Sequence, residues 1–563
     1  MKNIFRLFMI VLFSSALYSC SNKDLSDLKL IPKDASMVAV LDNEQLKAKL
    51  DKANIDPDSV FNKIFSHDTT NQSKEAKEKF NDLRNNAGVD WNKKVIVFLE
   101  PKSYGTKGNA FTFNIIAHVK DSAKFLNYLL KQDEVRGRDV IKEKNYNYIS
   151  FDYKGMISWT DKLAMLTFYN YQEAFNNNEK PFANVDEQEG INKTEEIKKE
   201  VNRFYSLKEE ESISSLNIMT DLIKKKADIA TFHSTSSMQT WLTHMPLSLP
   251  KLPELLQDNY SISTFNFDEG KITTSSAIYP NKTIAAILKT YPGSSVNLSM
   301  LENYPSNDID VAFLANFNPQ VIDALLKELE VESLGDTFLS KIGLKTSDLY
   351  KVFKGDVSFT LSDFSWKATD SSLVKTKPSL KYLFNATVGD KEVLHKLLDK
   401  GIEMGFIVKD NNGYKLKSEL NHFGLYVNID DKNMIIASDE DVFKKYISQT
   451  SKAGINSEVI GRMKNKTSAT YIDLEKIFGT ISTSNKNGDS TFINLRNNFK
   501  DIISNTEKFD GTKIESHSDI RLKAVNENSL ATLLKLIMHI APGLKNQQTV
   551  EDFRNLPLIK NII

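Results

Sequence analysis

Apolar positions along this chain fall into two patterns. Short apolar runs and period-two rows alternate with amphipathic stretches that open on Asp or Asn. The first pattern reads as β-strand and the second as capped α-helix. Met37–Leu41 predicts a buried strand, and Asp42 and Asn43 cap a helix near Glu44–Leu50. Gly88-Val89 precedes another apolar run, Val95–Leu99. Phe111, Phe113, Ile115, Ala117 and Val119 then alternate with polar residues, which predicts a strand buried on that face. Asp121 caps a helix carrying Phe125, Leu126, Leu129 and Leu130. Trp159-Thr160-Asp161-Lys162-Leu163 is a turn between two strands, Ala227–His233 is a strand, and Ser261–Ile278 with Ile284–Leu288 closes the series as hairpin and helix.

The series then runs again. Val38-Ala39-Val40-Leu41-Asp42-Asn43 and Val311-Ala312-Phe313-Leu314-Ala315-Asn316 share four of six residues. Pro32 to Pro305 and Val38 to Val311 have one spacing, since 305 − 32 and 311 − 38 are both 273. A helix over Gln320–Leu329 follows, then Val357–Leu361 after Gly343-Leu344. Phe384, Ala386 and Val388 alternate ahead of an Asp390-capped helix with Val393, Leu394, Leu397 and Leu398. Ile429-Asp430-Asp431-Lys432-Asn433 repeats the turn, Ser468–Leu474 the late strand, and Lys513–Val525 with Leu530–Ile540 the closing hairpin and helix. This order predicts an α+β protein, a tandem duplication of a mainly antiparallel sheet unit with helices packed on one face. The repeats span 30–290 and 305–545, joined by a linker at 291–304 and followed by a tail at 546–563.

Two stretches break the symmetry. Asn170–Lys226 is long, charged and helical by pattern, against a short counterpart near Val442–Lys466, and reads as a charged helical spacer. Met245–Pro253 holds three prolines and three leucines, a stiff apolar loop expected to pack over the first repeat.

The first twenty residues carry a different signal. Lys2 and Arg6 open it, Leu7–Phe13 is almost wholly apolar, and Ser14, Ser15 and Ala16 lead to Leu17-Tyr18-Ser19-Cys20. That layout is a secretory signal. Its end resembles the lipobox of bacterial lipoproteins, in which the cysteine takes a diacylglyceryl group and begins the mature chain. Cys20 is the only cysteine of the 563 residues, so no intrachain disulfide forms. Two or three acyl chains on Cys20 give a stable anchor, and residues 21–29 read as a polar tether. The best later candidate for a membrane span, Ser529–Pro542, is short and interrupted by Lys535 and His539.

Ile31-Pro32-Lys33-Asp34-Ala35, the Val-rich strand after it and the Asp42 helix entry resemble the start of a Bacteroidota cell-envelope lipoprotein family, domain of unknown function 4836. The similarity runs through both halves, including Leu222–Ile229, where a basic helix end enters a strand through Ala227-Asp228. The resemblance implies a signal-borne envelope protein without an established activity and supplies no catalytic residues.

Composition narrows the function further. Lys plus Arg and Asp plus Glu are 73 each, a net charge of zero, which gives no ground for a nucleic-acid partner. None of the eight histidines pairs at i,i+3 or i,i+4, so no zinc motif is present. His118, on a strand end, matches Thr387 in the second repeat and reads as a solvated surface residue. Asp410-Asn411-Asn412-Gly413 lacks calcium-loop spacing and reads as a hairpin turn. Asp439-Glu440-Asp441 reads as a helix start. No nucleophile elbow or phosphate loop occurs. The sequence therefore predicts a membrane-anchored, outer-membrane lipoprotein with a non-catalytic binding or scaffolding role. It has no cofactor, and an envelope protein, glycan or lipid is its partner. The alternatives are a carrier of lipid or another apolar ligand, and a hydrolase with a dispersed site.

Overall fold

Every paired strand of this α+β protein runs antiparallel to its neighbour. A computed structural model describes residues 26–57, 59–60, 78, 81–104, 108–132, 135–151, 155–173, 192–238, 249, 251–369, 375–410, 413–417, 424–484 and 490–540. Cys20 and the signal, the C-terminal tail and most of the Met245–Pro253 loop lie outside these residues. The chain divides into two compact units. The first takes the described residues up to 238 with Leu256–Asp268 and Leu530–Met538, and the second takes Leu249–Leu255 and Glu269–Ser529.

The first unit contains β1 (Met37–Leu41), β2 (Val95–Ser103), β3 (Gly108–His118), β4 (Ile141–Lys142), β5 (Asn147–Phe151), β6 (Gly155–Trp159), β7 (Leu163–Glu173), β8 (Ile229–Ser234) and β9 (Tyr260–Asp268). Their order across the sheet is β9-β8-β1-β2-β3-β7-β6-β5-β4. Predicted caps form: Asp42 accepts from the Gln45 amide and Asp121 from the Lys124 amide. Thr160 Oγ1 accepts from the Lys162 and Leu163 amides in the turn before β7.

The alternation on β3 resolves opposite to the expected sense. Ala110, Thr112, Asn114 and Ile116 are buried, while Phe111, Phe113, Ile115 and Ala117 are only half-buried. The cause is the segment read as a spacer. Its helix Lys193–Ser206 carries Ile197, Val201 and Phe204 at helical spacing, all essentially inaccessible. Phe204 meets Phe98 of β2 edge-on, with ring centroids 5.2 Å apart. Ile213, Met219 and Leu222, further along the same segment, are also buried. The segment is thus a core layer, and its charges are the solvent side of an amphipathic helix. A second helix, Ser122–Lys131, packs Phe125 and Leu129 with Trp159, Ile149 and Ala164 on the opposite face. Helices therefore lie on both faces of this sheet. The helix Ser529–Ile540 also contributes here, since Leu534 packs with Leu50 and Val60. It has 12 residues, and no described helix is long and apolar enough to cross a membrane.

The second unit contains β10 (Lys271–Tyr279), β11 (Ile309–Asn316), β12 (Phe353–Thr369), β13 (Lys375–Val388), β14 (Ile407–Asp410), β15 (Gly413–Leu416), β16 (Tyr426–Ile429), β17 (Asn433–Ala437), β18 (Ser468–Ile472), β19 (Phe499–Thr506) and β20 (Ile514–Leu522). Their order is β10-β20-β19-β18-β11-β12-β13-β17-β16-β15-β14. From β19 onward this is the order of the first unit with ten added to each strand. The closing elements divide otherwise than the repeats do: Glu269–Thr290 belongs to the second unit, and Leu530–Met538 to the first.

The stretch 291–304, expected to be a linker, is built into the second core. Val296, Met300, Leu301 and Tyr304 are buried there with Leu314, Leu383, Ile435 and Met463. Tyr304 Oη lies 2.8 Å from Ser362 Oγ. Likewise residues 26–29 of the expected tether are anchored. Leu28 is buried, and its carbonyl accepts from Ser212 Oγ at 2.8 Å. Asp410 pairs with Gly413 across a hairpin, and Asp439 caps the helix Glu440–Ser448 by accepting from the Val442 amide.

Candidate functional site

The buried row of β2 ends in charge. Phe98, Glu100 and Lys102 point to one face at period two, so the strand that begins in the core carries a carboxyl and an amine toward its edge. The overlying helix Lys193–Ser206 answers with its own charges one and two turns apart. Arg203 Nη2 donates to Glu100 Oε1 at 2.7 Å, and Arg203 Nε to Glu200 Oε2 at 3.0 Å. Lys102 Nζ donates to Glu200 Oε1 at 2.8 Å and to Glu196 Oε2 at 2.6 Å. Tyr104 Oη donates to Glu196 at 2.7 Å and lies 2.6 Å from Tyr169 Oη.

Glu100 stands apart within this network. Its side chain is 8% exposed, and Oε2 is buried without a hydrogen-bond partner. Burial pushes its carboxyl from the ordinary 4.5 up to about 8; Asp34 adds to the rise, Arg203 opposes it, and Glu200 adds a little more. Glu100 therefore gives up its proton less readily than a solvated carboxyl. Glu196 behaves oppositely: burial would raise it, but the bonds from Lys102 and Tyr104 outweigh burial and hold it below the usual range.

Glu100 lines a cavity of about 440 Å³ together with Lys33, Asp34, Ser236, Ser237, Asp258 and Tyr260. Its hydroxyls are already engaged. Ser237 Oγ donates to the Ser234 carbonyl at 3.2 Å, and Tyr260 Oη donates to Asp258 Oδ1 at 3.0 Å. Burial, with Asp258 beside it, pushes the Tyr260 phenol up to about 12. Ser236 Oγ accepts the Asp258 amide at 3.1 Å. Among the described residues no histidine lines the cavity, and no lining serine is bonded to a base. The arrangement can accept a ligand and exchange a proton with it; it does not present an activated nucleophile.

His118 is not the solvated residue expected. Its Nε2 lies 2.7 Å from Asp27 Oδ2, the His118 side chain is 22% exposed, and Asp27 is buried. The pair ties residues 26–30 to the end of β3, a structural role. No group of three or more His, Cys, Asp or Glu arranged to hold a metal occurs among the described residues. The sequence reading passed over Glu100; its one signal was a Glu and a Lys continuing the buried row of Phe98.

An antiparallel α+β protein with a buried carboxyl at the wall of a polar cavity is the class that fold and site define. The chain belongs to the family described as domain of unknown function 4836 (DUF4836), whose model matches residues 28–530. No curated protein matches the chain. Two solved structures of TP0453 are similar to it at 10% identity. Crystal form IV has a TM-score of 0.25, covering 47% of this chain and 85% of that one. Crystal form I has a TM-score of 0.24, covering 46% and 81%.

Proposed function

We propose that this protein is a cell-envelope lipoprotein, tethered through a lipid on Cys20, that acts by binding rather than by catalysis. The cavity at Glu100 carries the binding part of the reading. It is large enough for a small ligand, and its wall offers the buried Glu100 carboxyl, its pKa raised by burial, together with Asp34 and Asp258. Its serines are committed to the backbone. The tether rests on the signal layout that ends at Cys20, the outer membrane being the expected site. Tandem copies of one α+β unit are part of the same proposal, supported by the repeated strand order.

The test is native mass spectrometry of the full chain, paired with ester, peptide, phosphoester and glycoside substrate panels. The expected result is no turnover and a discrete polar mass that leaves on denaturation. Turnover abolished by Glu100→Gln overturns the reading. One observation favours the carrier alternative: Phe111, Phe113 and Ile115 of β3 are half-buried, with Phe113 in register with Phe168 of β7. A released acyl-chain lipid in the same measurement supports that alternative.

A further inference from the structure

In the second unit a separate cavity of about 250 Å³ is walled by amides. Asn303, Asn385, Asn428, Asn433 and Gln449 line it together with Asp430, and Met300, Ile435 and Ile447 add apolar surface. Among the described residues no lysine, arginine or histidine lines it. Two of these amides are set deep by β13 and β16, Asn385 at 4% and Asn428 at 7% exposure. Asn385 Nδ2 donates to Tyr446 Oη at 2.8 Å, and that hydroxyl donates to the Met300 carbonyl at 3.0 Å. The other end of the same amide, Asn385 Oδ1, is buried with no hydrogen-bond partner. Asn428 Nδ2 donates to Asp430 Oδ2 at 3.3 Å, while Asp430 Oδ1 accepts the turn amides of Lys432 and Asn433 at 2.7 and 2.8 Å. The side-chain amides of Asn303, Asn433 and Gln449 make no hydrogen bond to another described residue.

This lining selects by chemistry. An anion meets no cation here and is repelled by Asp430. A cation meets one carboxylate whose oxygens are already engaged. An acyl chain would bury unpaired amides, which is costly. Each free amide offers two donors and an acceptor, and each hydroxyl offers one donor and two lone pairs, so a neutral molecule dense in hydroxyls satisfies the wall. The volume equals that of about eight liquid waters, the scale of one ring rather than a long chain. We propose that this cavity binds a neutral sugar residue, with hydroxyls bonded to Asn385, Asn428 and Asn433. The assignment rests on the binding role proposed above and gives it a ligand class at a second site.

The test uses the full chain in a detergent without a sugar headgroup. Glucose, galactose, mannose and N-acetylglucosamine are each titrated, with saturation-transfer NMR as the readout. Asn303→Ala and Asn433→Ala break no internal side-chain bond, so they keep the thermal unfolding profile of the wild type. Asn385→Ala probes the deep position. At least one sugar is expected to saturate the wild type, with affinity reduced tenfold or more in Asn433→Ala and Asn385→Ala. Failure of all four sugars to saturate, or affinity unchanged in all three variants, overturns the assignment. A non-sugar adduct in native mass spectrometry on a chain that binds no sugar overturns it too, while leaving the binding role standing.

Discussion

Replacing Glu100 by Gln keeps the shape of the side chain and an acceptor for Arg203 while removing a titration. The folded carboxyl is raised from 4.5 to about 8, chiefly by burial. A raised acid favours folding below its unfolded value and loses that advantage as pH climbs toward its folded value. Between about pH 5 and about pH 8 the unfolded chain has released this proton and the folded chain still holds it, so stability falls with rising pH. At about 1.4 kcal/mol per unit the full gap is roughly 5 kcal/mol, of which on the order of 3 kcal/mol lies in that window. Urea unfolding at one-unit pH steps, wild type beside Glu100→Gln, reads the effect as the difference between two curves. The wild type should lose on the order of 3 kcal/mol more than the variant across the window, and the curves should run parallel only above about pH 9. Curves parallel throughout would refute the reasoning, because Glu100 would then ionise as a solvated carboxyl does.

Three further outcomes follow from the packing. Phe204→Ala should cost about 3–5 kcal/mol in chemical denaturation, since Phe204 is fully buried against Phe98; a cost within about 1 kcal/mol of zero would return the Lys193–Ser206 helix to the status of a spacer. Leu534→Ala should cost about 2–4 kcal/mol and speed proteolysis of the helix Asn43–Lys52, because Leu534 packs against Leu50 and Val60; unchanged protection of that helix would contradict the packing. His118→Ala removes one partner of the buried Asp27 and should hasten proteolytic cleavage around residues 26–31, with Asp27→Asn giving the same pattern; cleavage rates equal to the wild type would show the pair to be incidental.

Much of the fold was legible because local signals agreed with the tertiary structure. Asp42, Asp121 and Asp390 all cap the helices they were read to cap, and Asp439, read as part of an acidic helix start, also caps its helix, because a side-chain cap is settled within three residues. Burial was harder. The β3 pattern named the wrong row as the more buried, because which face is covered depends on a helix some eighty residues away in sequence. Charge density disguised that helix as a spacer; Ile197, Val201 and Phe204 at i, i+4 and i+7 were the contrary signal. The stretch 291–304 carried a Pro-Gly turn signal that outweighed Val296, Met300, Leu301 and Tyr304. The two cavities were not legible at all. Glu100, Asn385 and Asn428 sit on strands among apolar neighbours, and only strand pairing brings them to a cavity wall.

The tether is the claim on which the rest of the functional account is hung, and metabolic labelling with an alkyne fatty acid tests it directly. Cells expressing the wild type are compared with cells expressing Cys20→Ser, and the protein is captured and read for the label. The account predicts strong labelling of the wild type and none of the variant, with the wild type in the membrane fraction. Equal labelling of the two, or no labelling of either, would contradict it.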